Sequence, residues 1–207
     1  LNNDTENISK KLPQKYDLRD YGRVSKVKNQ GSEGYCWAFA SVASMESSIL
    51  SQNDLKSKLG ENPQDTIDLS EAGQTWYIHS GIVDKSSPFY GDYINDSSKG
   101  SNGGTSDTLA ISLNSGFGTY PQSLCPYNEV KKGFSETLRY YSDYRLKDYS
   151  EISNNKDTLK SKIVSNGAVT VYYPSITDCY SSDYANYYSD NTCIGIGDSH
   201  LIVVVGW

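Results

Sequence analysis

The chain has 207 residues, of which 36% are hydrophobic and 21% are charged, and this is the composition of a globular protein rather than a disordered one. The net charge is −6 and no run of Lys and Arg exceeds two residues, which argues against nucleic acid or an anionic membrane surface as the main partner. Apolar runs such as Leu201–Val205 are far too short to span a bilayer.

The first part of the chain predicts a tail followed by a central helix. Residues 1–11 are polar and have no apolar period, so we expect a flexible N-terminal tail or a propeptide remnant. From Cys36 to Leu50 the chain has no Gly or Pro, which predicts a helix. Small or apolar residues on nearly all of its sides predict that the helix is buried. Glu46 lies within it, and a buried carboxylate needs partners, so we expect Glu46 to have a structural hydrogen-bonding role.

Cys36 stands where this helix begins, after a glycine-punctuated polar loop. The positive end of the helix dipole and the unpaired N–H groups of the first turn favour a thiolate there, and the thiolate is the nucleophilic form of cysteine. Gln30, six residues upstream, could donate its side-chain amide to the oxyanion of an attacked carbonyl, together with the Cys36 N–H. The alternative is a buried helix cysteine without chemistry.

The next elements are two shorter helices separated by a long loop. Ser70 is a good N-cap for a helix that continues to His79. His79 has no partner motif nearby, so we expect a surface or interface histidine. Residues 81–99 form an aromatic loop that contains Gly and Asp, and Thr105–Asn114 predicts a further helix.

The second half of the chain is richer in strand signals. Tyr140–Tyr149 and Ala168–Tyr173 predict strands, separated by a helix near Lys156–Ser165. The continuous β-branched run 201–205 predicts a buried strand, with His200 at its entrance. Helices followed by strands predict an α+β fold.

The residues around Cys36 resemble the signature of the papain-like cysteine peptidases, Gln-Gly-x-Cys-Gly-x-Cys-Trp-Ala-Phe. The matching positions are Gln30, Gly31, Gly34, Cys36, Trp37, Ala38 and Phe39. Leu12–Arg19, Ser101–Gly104 and Ser199–Trp207 are similar to three further stretches of that family. The resemblance implies a domain over residues 12–207 with two lobes and a cleft between them, a helical lobe at about 20–120 and a β-barrel-like lobe at about 121–207. The long Tyr-rich loops look like those of bacterial, clostridial-type members.

The resemblance also implies the roles of the site residues. Cys36 would be the nucleophile, His200 the base that pairs with it and then the acid, and Gln30 an oxyanion donor. Gly103 and Gly104 would form a cleft wall along which a substrate backbone runs, because glycine permits close approach. The pocket for the second side chain upstream of the cut would be modest in size with a polar corner, and would be lined by Thr105, Ser106, Val169 and Leu201.

The sequence departs from the family pattern in two places. Glu33 and Ser101 stand where the family has the two cysteines of a disulfide. The family's third catalytic residue, an asparagine in an Asn-Ser-Trp motif beyond the histidine, has no counterpart up to Trp207. We therefore expect an incomplete catalytic domain, with a further chain or segment that completes the β lobe.

The remaining cysteines have separate interpretations. Cys179 and Cys193 bracket a short polar loop, which favours a disulfide if the protein is secreted, and the alternative is two reduced thiols. Cys125 lies in a turn, where we expect a packed free thiol.

The function implied by the resemblance is a secreted or surface-exposed thiol endopeptidase acting on polypeptides. No metal or nucleotide motif competes, so no cofactor and no metal are expected. Two alternatives stay open. One is a binding or surface protein on the same fold with a dead site, favoured by Tyr35 beside the nucleophile, where the family has a small residue. The other is a transpeptidase or amidase with the same Cys–His pair, since a fold does not determine a substrate.

Overall fold

A computed structural model of the protein describes residues 12–82, 84–87, 90–91, 98, 100–114, 117–176, 179–181, 186–187 and 198–207. The predicted tail, residues 1–11, and much of the loop over residues 81–99 lie outside the described residues. Within the described ranges, no helix is both long and apolar enough to cross a bilayer.

The described elements follow one another as helices first and strands later. The helices are α1 (Cys36–Ser51), α2 (Asn53–Lys56), α3 (Pro63–Thr66), α4 (Glu71–His79), α5 (Ser106–Asn114) and α6 (Lys156–Asn166). The strands are β1 (Val169–Ser175), β2 (Tyr180–Ser181), β3 (Asn186–Tyr187) and β4 (Asp198–Val204). The mixed helix and sheet confirm the predicted α+β class.

The central helix α1 confirms the prediction for residues 36–50. Its apolar residues Trp37, Val42 and Leu50 are buried in a core that also receives side chains from α4, α5 and β4. Two of its serines form hydrogen bonds with the main chain of adjacent segments: Ser47 Oγ donates to the Arg23 carbonyl, and Ser44 Oγ donates to the Ala168 carbonyl. The helix is therefore surrounded by protein, as small side chains on most of its faces allow.

The start of α4 also agrees with its prediction. Ser70 Oγ accepts a hydrogen bond from the Gly73 N–H at 2.8 Å and donates one to the Cys125 carbonyl. The prediction for His79 at the other end is wrong in placing it at a surface. The imidazole is only 5% exposed, its Nδ1 lies 2.8 Å from the Thr75 carbonyl, and its ring stands edge-on to Trp37. Tertiary packing that a helical pattern does not reveal has buried it.

The strands β1 and β4 pair antiparallel, with Val169 opposite Val204 and Tyr173 opposite His200. The strand predicted over residues 168–173 is confirmed and extends further to Ser175. The strand after His200 is confirmed too, but it is less buried than its apolar run predicts, since Ile202 is 37% exposed.

The strand predicted over Tyr140–Tyr149 is wrong. The main chains of Asp143 and Tyr144 form hydrogen bonds with Thr119. These bonds do not continue into a strand pairing along the rest of the segment. Tyr140 and Tyr149 are exposed, and only Tyr144 and Leu146 of this segment pack against the core, both partly buried. This apolar contact is too limited to favour a strand along the whole segment. The helix predicted near 156–165 is confirmed, capped by the Asn155 side chain.

The beginning and the end of the described chain meet beside β4. The backbones of Tyr16 and Trp207 exchange hydrogen bonds of 3.0 and 2.8 Å, and the Leu18 N–H donates to the Val205 carbonyl at 2.9 Å. Leu18 is fully buried in a second core together with Ile163 of α6. The sheet of β1 and β4 has two strands among the described residues, and the barrel-like shape of this lobe stays a prediction.

Candidate active site

The first residue of α1 is Cys36, as predicted. Its thiol is not in a disulfide and its side chain is half-buried, so the thiol is neither enclosed in the core nor fully open to solvent. Tyr35 precedes it as the N-cap residue, and the Tyr35 carbonyl accepts the N–H groups of Ala38 and Phe39. The thiol therefore lies at the positive end of a 16-residue helix, the position that favours a thiolate.

His200 reaches this region on β4, which packs against α1. The next residue, Leu201, is buried in the same core cluster as Trp37, and Cys36 packs against that cluster. Tyr172 of β1 stands opposite Leu201, and burial, the Asp107 carboxylate and Cys36 together raise the pKa of Tyr172. The pairing of β1 with β4 thus brings His200 to the side of the molecule where α1 begins. The His200 ring is half-buried, with its centroid 5.7 Å from that of Tyr173.

Gln30 lies in a tight loop before α1. Its side-chain Nε2 donates a hydrogen bond of 2.9 Å to the Glu33 carbonyl, and the next residue, Gly31, has a left-handed φ of 68°. The Tyr127 hydroxyl donates a 2.7 Å bond to the Gln30 carbonyl. A carboxamide carries two N–H protons, so the bond to Glu33 fixes the plane of the amide while a second donor remains on the same nitrogen.

The glycines at 103 and 104 have different surroundings. Gly103 has a left-handed φ of 113°, and a Cβ built on it meets no atom within 4 Å, so it borders open space. A Cβ on Gly104 would lie 2.7 Å from the indole of Trp37. Trp37 in turn donates from Nε1 to the Gly100 carbonyl at 3.1 Å. Trp37, the residue after Cys36, therefore packs against Gly104 and bonds to the main chain of Gly100.

The segments that carry Glu33 and Ser101 touch each other directly. The Gly34 N–H donates to the Ser101 carbonyl at 2.7 Å, and a Cβ on Gly34 would come within 2.4 Å of that same oxygen. The Glu33 carboxylate pairs instead with Lys131 at 2.6 Å on the surface. The two segments that a disulfide would link are therefore held together here by a hydrogen bond between their main chains.

A cavity of about 480 Å³ lies between α1, α5 and β1. Three of the four predicted pocket residues, Ser106, Val169 and Leu201, line it. Thr105 is not among the lining residues: it is exposed, and its hydroxyl accepts from the Thr108 N–H at the start of α5. The Ser106 hydroxyl is buried without a hydrogen-bond partner in the described part of the chain. The role of the four predicted residues as a substrate pocket stays a prediction.

An ionic cluster consists of Lys28, the buried carboxylates Glu46 and Glu71, and the exposed carboxylate Asp68. The Lys28 ammonium lies 3.0 Å from an oxygen of each of the three carboxylates and donates at 2.6 Å to the Leu69 carbonyl. Glu46 also accepts from the Leu69 N–H, which confirms its predicted structural role. The cluster joins α1, α4 and the strand-like segment that leads to Gln30.

Burial and the attraction between Lys28 and the carboxylates have opposite effects on the pKa values in this cluster. Burial raises the pKa of Glu71 to about 7, against the lowering effect of Lys28. For Lys28, burial favours the neutral amine, but Glu71 and Glu46 outweigh it and raise the pKa of the ammonium. The sequence around Lys28 does not predict a role for this residue, since the stretch alternates poorly. The only indication is indirect: the buried carboxylate predicted at Glu46 needs a partner such as a cation.

Two further cysteines, Cys125 and Cys179, lie in the described part of the chain. Cys179 is fully buried and bonded in a disulfide, while its predicted partner Cys193 lies outside the described residues. Cys125 is a fully buried free thiol, as predicted, and burial raises its pKa to about 11. Among the described residues, no group of three or more His, Cys, Asp or Glu side chains could hold a metal ion.

Comparison with known sequences finds relatives of one kind. The chain is 25% identical over 198 residues to the probable cysteine protease RD19B of Arabidopsis thaliana, and the match covers 95% of this chain and 48% of that protein. A shorter match is 60% identical over 35 residues to macrodontain-1 of Ananas macrodontes, which is 17% of this chain and 16% of that one. Each match thus covers less than half of the relative's own length.

Solved structures show the same fold. The cysteine protease and lectin-like domains of Cwp84, a surface layer associated protein of Clostridium difficile, superpose with a TM-score of 0.70 at 23% identity, over 96% of this chain and 40% of that one. Bromelain of Ananas comosus in complex with the E64 inhibitor gives a TM-score of 0.66 at 23% identity, over 94% of this chain and 76% of that one. These likenesses confirm the predicted papain-like fold.

The sequence model of the papain family cysteine protease matches residues 12–207. That match includes the helix that begins at Cys36, the glycine wall and the strand that carries His200. The chain therefore belongs to the papain family of cysteine proteases.

Proposed function

We propose that this protein is a thiol endopeptidase in which Cys36 and His200 cleave polypeptides through an acyl-enzyme. The observation that carries the proposal is the position of Cys36, a half-buried thiol at the N-terminus of a buried helix, against which the strand of His200 packs. Membership of the papain family of cysteine proteases supports the same chemistry.

The proposed steps use residues of this chain alone. The Cys36 thiolate attacks the scissile carbonyl carbon, an S–C bond forms, and the π electrons move to the oxygen. The Gln30 amide and the Cys36 N–H donate to that oxyanion. As the C–N bond breaks, the His200 imidazolium gives its proton to the leaving amine. A water molecule then loses a proton to His200 and attacks the acyl carbon, and the S–C bond breaks to release a carboxylic acid.

The subsites are part of the same proposal. Gly103 and Gly104 would run alongside the substrate backbone, because Gly103 borders open space and glycine permits close approach. The cavity lined by Ser106, Val169 and Leu201 would take the second side chain upstream of the cut, with Thr105 at its rim. No cofactor enters these steps.

The domain organisation and location follow as proposals. Residues 12–207 would form the peptidase domain, with the lobes dividing near residue 120 and residues 1–11 as a tail. β1 and β4 form a sheet of two strands among the described residues, and the cavity lies against β1. These features favour a further segment or chain that adds strands to this lobe. The fold shared with a surface layer associated protein supports a secreted or cell-surface location.

Product analysis tests the reaction. Wild-type protein is expected to cut an unstructured polypeptide and to leave new carboxylate termini, whereas Cys36→Ala leaves the polypeptide intact because it lacks the nucleophile. Mass spectrometry of the products with and without glycinamide as an amine acceptor separates hydrolysis from transfer. Products that carry the amide in place of the carboxylate would contradict hydrolysis and establish the transpeptidase alternative. No cleavage by either form would favour the binding protein with a dead site.

A further inference from the structure

Tyr127 touches the loop of Gln30 from a distant part of the chain. It lies in a short 3-10 turn, Tyr127–Glu129, 97 residues after Gln30. Its hydroxyl donates a 2.7 Å hydrogen bond to the Gln30 carbonyl. The bond therefore holds the main chain of the very residue whose side chain is the proposed oxyanion donor.

The ring of Tyr127 holds the other side of the same site. It stands edge-on to Tyr35 with centroids 6.0 Å apart and edge-on to Phe39 with centroids 4.8 Å apart. Tyr35 immediately precedes Cys36 and is 2% exposed, and Phe39 lies in the first turn of α1. Tyr35 forms a separate buried cluster with Ala72 and Val130, and the partly buried rings of Phe39 and Tyr127 pack against it. One side chain thus contacts both the Gln30 loop and the helix start that carries the Cys36 N–H.

The hydrogen bond does not depend on pH over the range in which a thiol enzyme works. Burial raises the pKa of Tyr127 to about 12, and the negative charges of Glu33 and Glu71 act in the same direction. The phenol therefore stays neutral and remains a donor. The loop is also held by the 2.7 Å bond from the Gly34 N–H to the Ser101 carbonyl and by the ion pair of Glu33 with Lys131. That ion pair is largely exposed, and exposed pairs stabilise little.

We propose that Tyr127 is a positioning residue for oxyanion stabilisation. It fixes the Gln30 main chain relative to the start of α1, so that the Gln30 amide and the Cys36 N–H converge on one oxygen. Glu33 and Ser101 have no sulfur, so a covalent bridge between them cannot do this. The inference rests on the proposed function, because it assigns a helper to the proposed oxyanion donors.

The test separates oxyanion binding from thiol reactivity. An N-acylated dipeptide aldehyde adds reversibly to the Cys36 thiolate: an S–C bond forms, the carbonyl π electrons move to oxygen, and no group leaves. Its dissociation constant is measured by the protection of Cys36 from iodoacetamide, read by intact mass, so no turnover is required. Iodoacetamide alone develops no oxyanion and reports the thiol by itself.

Tyr127→Phe keeps the ring and removes the hydroxyl. We expect its aldehyde dissociation constant to rise about tenfold, less than the 10²–10³-fold effect of deleting an oxyanion donor outright, while the alkylation rate of Cys36 stays within about twofold. Tyr77→Phe is the matched control, because the Tyr77 hydroxyl also donates to a backbone carbonyl, that of Ser135, at 2.6 Å and lies in a different cluster. It should leave both quantities unchanged.

Two results would overturn the inference: an aldehyde affinity in Tyr127→Phe that matches wild type, or a loss of affinity matched by an equal loss of alkylation rate. The second would mean that the hydroxyl merely supports the fold near Cys36. A wild-type protein that binds the aldehyde but cleaves no polypeptide would instead contradict the proposed endopeptidase function, and the comparison of Tyr127→Phe with wild type would still decide the role of Tyr127.

Discussion

Replacing His200 with alanine is expected to move the pH at which Cys36 becomes reactive and to abolish peptide cleavage. In the wild type the imidazole can take the thiol proton, so the midpoint of the pH profile for alkylation by iodoacetamide should lie lower than in the variant. Without the imidazole the thiol should react like an ordinary cysteine, and the profile should move to higher pH. Cleavage should fall by at least about 10³-fold, because both the base and the acid are lost.

The midpoint is a better measure than the rate at one pH, because a thiolate that forms at higher pH is also more nucleophilic and partly hides the loss. His79→Gln is the control, since it removes the other imidazole of the chain, and it should leave the alkylation profile in place. A profile that is unchanged in His200→Ala would contradict the assignment of His200 as the partner of Cys36. Circular dichroism of both variants establishes that they are folded.

Replacing Lys28 with methionine is expected to cause the largest loss of stability. The change leaves Glu46 and Glu71, whose side chains are 1% and 2% exposed, without the ammonium that lies 3.0 Å from each. Removal of one partner from a buried ion pair typically costs about 3–5 kcal/mol of unfolding free energy, since an uncompensated charge stays buried. Because Glu46 belongs to α1 and Lys28 precedes Gln30, loosening of the nucleophile helix should accompany the loss.

Lys26→Met is the matched control two residues away. Lys26 pairs with Asp65 at 3.4 Å, with side chains 69% and 53% exposed, so the same substitution there should cost no more than about 1 kcal/mol. Urea unfolding at pH 8 measures both free energies. Equal losses in the two variants would mean that the cluster does not hold the helix and the loop together.

The pH dependence of the Lys28→Met defect has a defined sign. Burial raises the pKa of Glu71 from 4.5 to about 7 in the folded protein, and removal of Lys28 takes away the charge that opposes this rise. A raised folded-state pKa gives stability that is present below about pH 4.5 and is lost as the pH increases through the folded value. The difference in unfolding free energy between wild type and Lys28→Met should therefore be smaller at pH 5 than at pH 8.

Local sequence patterns were enough to predict the helix that begins at Cys36 and the start of the helix after Ser70. The helix of Cys36 followed from an uninterrupted run without Gly or Pro, and the N-cap at Ser70 followed from its hydroxyl before a helical segment. Both predictions depend on interactions within a few residues, which is where sequence patterns are most informative. The papain-like fold came from spacing that matched a family, and the family comparison confirms it.

Contacts between distant segments could not be predicted in the same way. His79 looked like a surface residue because nothing near it in the chain shows that Trp37 and Gly100 would enclose it. The composition of Tyr140–Tyr149 predicted a strand, but only Tyr144 and Leu146 of that segment pack against the core. The Tyr127 hydroxyl donates to the main-chain carbonyl of Gln30, 97 residues away. Every residue has such a carbonyl, so the sequence cannot indicate which one accepts the bond.

The most direct measurement of the central claim is the intact mass of the wild-type protein after incubation with an epoxysuccinyl inhibitor over a pH series, with Cys36→Ala as the control. Attack of the thiolate opens the epoxide and adds one inhibitor mass. The account predicts a single adduct that forms readily at pH 6 in the wild type and none in Cys36→Ala. No adduct, or labelling only near the pH of a free thiol, about 8.5, would contradict a Cys36–His200 thiol peptidase.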